Sequence, residues 1–174
     1  RHLLRLAQVS AFTVFLGRAW QHLVWDAPYR ALFWDESIMR PLVETALGWD
    51  WHAYVTSPAT DLFITRLVTF SGLLYLLGAA AVWTIERLPR ISRLVLTAGG
   101  VNLIFLAALY YKEHFYFTGQ FFEYTLQWAS PFFLVVLSRT GQMSDRLLLA
   151  MKVAIALTFT CHGLYAFGVY PRPG

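Results

Sequence analysis

The chain has 174 residues, 57% of them hydrophobic and 17% aromatic, but only 14% charged. A soluble domain is roughly 25% charged, so this composition excludes a water-clothed globule and points to a single membrane domain spanning residues 1–174. The net charge of +4 does not mark a nucleic-acid partner, because the basic residues form short clusters between apolar runs, and the single cysteine, Cys161, excludes an internal disulfide or a CxxC pair.

The first apolar run covers residues 3–25, long enough for a bilayer core that needs roughly 20 helical residues. Its length, and the polarity of its second half (Arg18, Gln21, His22), argue against a cleavable signal peptide. Residues 26–60 form a long connection rich in tryptophan (Trp34, Trp49, Trp51) and acid (Asp35, Glu36, Glu44, Asp50). Its residues 37–47 predict a short helix stopped by Gly48, and Asp50 is placed to cap another. One or two amphipathic pieces therefore lie at the interface, where tryptophan prefers to sit.

The second span opens with Ser57 as N-cap and Pro58 at the first helical position, and runs to about Glu86. A basic turn at Leu88, Pro89 and Arg90 leads to a third span over residues 92–112. A fourth covers 119–138, with a kink expected at Pro131. After a polar turn at 140–145, a fifth covers 144–167, leaving the helix at Gly168. The expected fold class is an all-α bundle of five transmembrane helices, without repeats.

Charge sets the orientation. Arg1, Arg5, Arg87, Arg90, Arg93, Arg139, Arg146 and Lys152 fall on the side of the N-terminus. The opposite side holds most of the acids, with Arg30, Arg40, Lys112 and Arg172. Basic residues favour the cytoplasm, so the N-terminus is expected inside, and the long loop and C-terminus outside, in a bacterial inner membrane.

In that topology the polar residues gather at the outer face. His22, His114 and His162 come to one level, with His52 in the loop above. Arg18, His22 and Asp26 form one stripe at helical spacing, as do Gln120, Glu123 and Gln127, and also Thr158, His162 and Tyr165. Arg66 sits about two turns into the second span. A charge near the membrane centre costs roughly 2.5 kcal/mol or more, so such residues are site candidates. Glu123 is the expected partner of the arginines, then Asp26 and Asp61.

Each candidate has a plainer alternative. The histidines are either metal or haem ligands or polar anchors; no HxxxH, HExxH or CxxCH spacing is present. Arg18 and Arg66 either hold a quinone carbonyl, carboxylate or headgroup, or make interhelical ion pairs. Glu123 is a proton carrier or an arginine's partner, whereas Lys112 is expected to snorkel to the interface. Cys161 is a packing residue, and Gly72, Gly78, Gly99 and Gly100 permit close helix approach.

The segment Phe15-Leu16-Gly17-Arg18-Ala19-Trp20-Gln21-His22-Leu23 resembles the first helix of the DoxX-like membrane proteins, with an arginine beside a small residue. The likeness extends, in hydropathy, over helices one to three and part of four. The resemblance implies a small integral membrane protein, sometimes associated with quinone-linked oxidation. That family has a four-helix core, so the fifth helix and the long loop depart from it.

Three functions follow as expectations. One is a redox component with a quinone as possible cofactor or substrate. Glu123, His22 and His162 would handle protons; Arg18, Arg66, His114, Gln127 and Trp128 would bind substrate beside Phe115, Phe117 and Phe121. The second is an accessory subunit of a larger membrane complex, partnered by the bilayer and other subunits. The third is a haem- or metal-binding protein using the histidines.

Overall fold

The computed structural model describes residues 2–169; Arg1, Arg172 and the rest of the C-terminal segment, used above in assigning sides, lie outside the described residues. Helix dominates and no strand forms among the described residues. The elements are α1 (His2–Val24), α2 (Tyr29–Phe33), α3 (Glu36–Leu42), a π-helical turn (Val43–Leu47), α4 (Trp51–Thr56), α5 (Pro58–Thr84), α6 (Pro89–Glu113), α7 (Thr118–Glu123), α8 (Thr125–Thr140) and α9 (Asp145–Ala166).

Three helices, α5, α6 and α9, are long and apolar enough to cross a membrane. α1 has the length, at 23 residues, but Arg5, Gln8, Arg18, Gln21 and His22 dilute its hydropathy. α8 has only 16 residues, a rise of about 24 Å against a hydrocarbon core of roughly 30 Å. The expected fourth span is not one helix. It breaks at Tyr124 (φ −88°, ψ 5°), which ends α7 and starts α8.

The break does not lie at Pro131, where a kink was expected. Proline supplies no N–H, which would leave the Gln127 carbonyl without its helical donor. The Ser130 hydroxyl donates to that carbonyl at 3.1 Å instead.

α1, α5, α6 and α8 close a four-helix ring: α1 packs on α5 and α8, and α6 packs on the same two. α9 lies outside it, against α7 and α8. Phe15, fully buried, fixes the ring's centre. A Cβ on Gly99 would lie 2.6 Å from its ring, and one on Gly78 would lie 3.0 Å from it. Glycines on two helices thus let both backbones clasp one aromatic ring. One end of the ring is tied by Gln8 donating to the Val82 carbonyl at 3.1 Å, and by Arg93 donating to the Ser138 carbonyl at 2.7 Å.

The long connection holds three short helices and a π-turn rather than one or two pieces. Its stops and caps fall where the sequence puts them. Gly48 ends the π-turn in the left-handed region at φ 66°. Asp50 and Ser57 cap α4 and α5. Lys112 ties the connection down: its ammonium meets Asp35 at 2.6 Å and donates to the Ala31 carbonyl, clamping the connection to the end of α6.

Candidate functional site

Arg18 leaves α1 toward α6 and α8. Its Nε and Nη2 both donate to Gln127 Oε1, at 3.0 and 2.6 Å. Its Nη1 donates to Gln21 Oε1 at 2.5 Å and, more weakly, to the Tyr110 hydroxyl at 3.4 Å. The guanidinium carbon lies 5.5 and 5.2 Å from the Tyr110 and Tyr124 ring centres, within cation–π range. All these partners are neutral. A cavity of about 420 Å³ opens beside them, lined by Thr13, Val14, Gly17, Arg18, Gln21 and Gln127.

The expected carboxylate partners are engaged elsewhere. Arg30, from the long connection, takes both Asp26 (2.8 Å) and Asp61 (2.9 Å). Glu123 Oε1 lies 2.7 Å from His162 Nδ1. The break at Tyr124 is the physical reason. Glu123 and Gln127 take different neighbours: Gln127 and Tyr124 turn toward Arg18 while Glu123 turns toward α9. The α9 stripe does dock there: the Thr158 hydroxyl accepts the Leu126 N–H at 2.9 Å, satisfying an otherwise unpaired donor in the first turn of α8.

The histidines separate. His22 is buried, and its Nδ1 lies 2.8 Å from the Arg18 carbonyl. A carbonyl only accepts, so Nδ1 carries a proton and Nε2 is the ring's free position. That atom is buried with no hydrogen-bond partner among the described residues. His114 makes the same bond to the Tyr110 carbonyl at 2.9 Å, and His162 is largely exposed. Among the described residues no three His, Cys, Asp or Glu side chains come close enough to hold a metal. His22, His114 and His162 therefore do not form one three-ligand metal group among the described residues.

Arg66 stands apart, exposed on α5, with no ion pair among the described residues. Trp128 packs 6.3 Å from Phe121, and its buried indole N–H has no partner among them. Phe115 and Tyr116 take positive φ (56° and 62°) at the end of α6, and Phe115 projects outward, 84% exposed.

Sequence reasoning missed the tyrosines. Tyr110 and Tyr124 complete the Arg18 site. Beneath His22, the Tyr29 hydroxyl donates to Ser71 at 2.8 Å, and the Tyr75 hydroxyl donates to Asn102 at 2.5 Å. Tyr29 and Tyr75 stand edge-on to the His22 ring. Tyr29 lies outside the long spans, and its burial raises the phenol above its ordinary value. The available signal was that tyrosines buried in apolar helices need hydroxyl partners.

No protein family model, curated protein or solved structure matches this chain.

Proposed function

We propose that the protein is a five-span component of a redox or quinone-linked system in a bacterial inner membrane, with its N-terminus in the cytoplasm. In this reading the Arg18 cavity faces outward and receives the acceptor oxygens of a lipid-soluble substrate. One observation carries it: Arg18 holds a full charge in the helix ring with only neutral acceptors around it, beside an open cavity. A carbonyl or semi-reduced oxygen entering there adds an acceptor and meets no competing carboxylate. Tyr110 and Tyr124 give the cavity an aromatic wall suited to a planar ring. Glu123, the residue before Tyr124, and His162 of α9 supply a hydrogen-bonded pair between which a proton can move.

Binding of a tail-less benzoquinone to the reconstituted protein tests this. Arg18→Gln is expected to weaken it by about tenfold or more, the loss of a charged donor set being worth roughly 1.5–3 kcal/mol. Failure of the unaltered protein to bind, or equal binding by the variant, sinks the reading.

A second reading, a non-catalytic subunit of a larger complex, is favoured by Arg66. An exposed, unpaired charge on a membrane helix calls for a headgroup or a partner's acid. Purification from native membranes as a lone monomer would count against that reading.

A further inference from the structure

We propose that the Arg18 cavity continues into a hydrocarbon groove, and that the two together hold one amphiphile. Its acceptor head lies at Arg18, and its single chain lies along α1 toward α5. This rests on the function proposed above and specifies its ligand as a long-tailed quinone that enters sideways from the bilayer.

The groove has a volume of about 670 Å³ and is walled by Leu16, Trp20, Leu23 and Val24 of α1 and by Leu76 of α5. It shares Thr13 and Gly17 with the Arg18 cavity, so the two are adjoining spaces. Polar donors border one and hydrocarbon borders the other, which is the division an amphiphile has along its length.

Gly17 is the junction. A glycine within a helix costs about 1 kcal/mol relative to alanine, and each other glycine within the α1, α5, α6 and α8 ring is explained by contact. A Cβ at Gly72, Gly78, Gly99 or Gly100 would lie 3.0 Å or less from a neighbouring side chain. A Cβ at Gly17 would meet nothing within 4 Å. The missing side chain therefore relieves no clash; it leaves the passage between cavity and groove open. Thr13 and Gly17 are also spaced like a helix-pairing motif, but a second helix laid there would bring no specified acceptor to Arg18, whereas a quinone head brings two carbonyls.

The test uses the full chain reconstituted in phosphatidylcholine vesicles, with a benzoquinone whose long alkyl chain carries a diazirine at its end. Photolysis is expected to label the peptides containing Leu23, Val24 and Leu76. Gly17→Leu fills open space and is expected to cut that labelling about tenfold. Leu76→Trp narrows the groove from the α5 side and is expected to reduce it as well. Three results overturn the proposal. They are labelling that both variants leave unchanged, equal labelling by a phosphatidylglycerol carrying the same diazirine chain, and crosslinks to a second copy in place of the probe.

Tail-less benzoquinone separates the two claims. If it binds in an Arg18-dependent way while the tail labels elsewhere, the groove assignment fails and the proposed function stands. If it does not bind at all, the proposed function fails and the groove assignment fails with it.

Discussion

Arg18 shows how a guanidinium is kept in a membrane bundle without a counter-ion. It has five N–H donors, and four hydrogen bonds run from them to two glutamine oxygens and a phenol. A lysine has no planar fork and cannot serve Gln127 and Gln21 in the same way. Arg18→Lys is expected to keep the charge yet lose most of the quinone affinity, within a few-fold of Arg18→Gln, as measured by the same titration. Recovery of full affinity by lysine would mean that charge alone suffices. At Asp35, hydrogen bonds from Lys112, then from Ser37 and the Ile38 N–H, hold the carboxyl down at about 2. An unfolded aspartate titrates near 3.9. The clamp's stabilisation is therefore complete above about pH 4 and is lost as pH falls from there toward about 2. Hydrogen exchange of the Ile38 amide, corrected for its intrinsic rate, is expected to accelerate across that window. In Lys112→Met the acceleration is expected to begin at higher pH. At this scale the sequence was legible in kind but not in pairing. It marked Arg18, Gln127, Glu123 and His162 as costly to bury. It could not say that Arg30, outside the spans, would claim both aspartates.

Helix packing rests on two devices that were half visible. The small residues of the second and third spans announced close approach, but not that Phe15 would lie between Gly78 and Gly99. Gly99→Ala puts a methyl 2.6 Å from a ring carbon at the centre of the bundle. The expected cost is about 1–3 kcal/mol, typical of overpacking, read from unfolding in mixed detergent. In a Phe15→Leu background the same change is expected to cost less, because the ring it strikes is gone. Pro131 was visible as an irregularity, and its position misled. Ser130 covers the carbonyl that proline exposes, while the chain breaks at Tyr124, where a turn takes Tyr124 and Glu123 to different neighbours. Ser130→Ala is expected to destabilise by about 1 kcal/mol, the typical net worth of one hydrogen bond. With Pro131→Ala the backbone N–H returns to Gln127, and Ser130→Ala is expected to be nearly neutral. A double-mutant cycle with no coupling would show that the hydroxyl does not repair the proline gap.

The chain is all-helical among the described residues, with three helices long and apolar enough to cross a membrane; the number of crossings turns on α1 and α8. The Gln8–Val82 and Arg93–Ser138 bonds put the start of α1, the turn after α5 and the end of α8 at the same end of the ring. Where α5 and α6 cross, α1 and α8 run beside them, shielding their polar faces within the ring and leaving apolar residues such as Leu16, Trp20 and Val136 outside. The same end then collects Arg5, Arg87, Arg90, Arg93, Arg139 and Arg146, and in the proposed topology the preference of basic residues for the cytoplasm makes it the inner end. The two counts of crossings predict opposite locations for the turn at Gly141 and Gln142. If only α5, α6 and α9 cross, the chain leaves α6 on the outer side and stays there through that turn. If α8 also crosses, the turn is cytoplasmic. In a Cys161→Ser background, Gln142→Cys is expected to react with a membrane-impermeant maleimide only after cells are opened, whereas Asp50→Cys is expected to react in intact cells. Labelling of both in intact cells would reduce α8 to a surface helix. It would also expose the Gln127 side of the Arg18 cavity to water, where a lipid-soluble ligand would lose its route in.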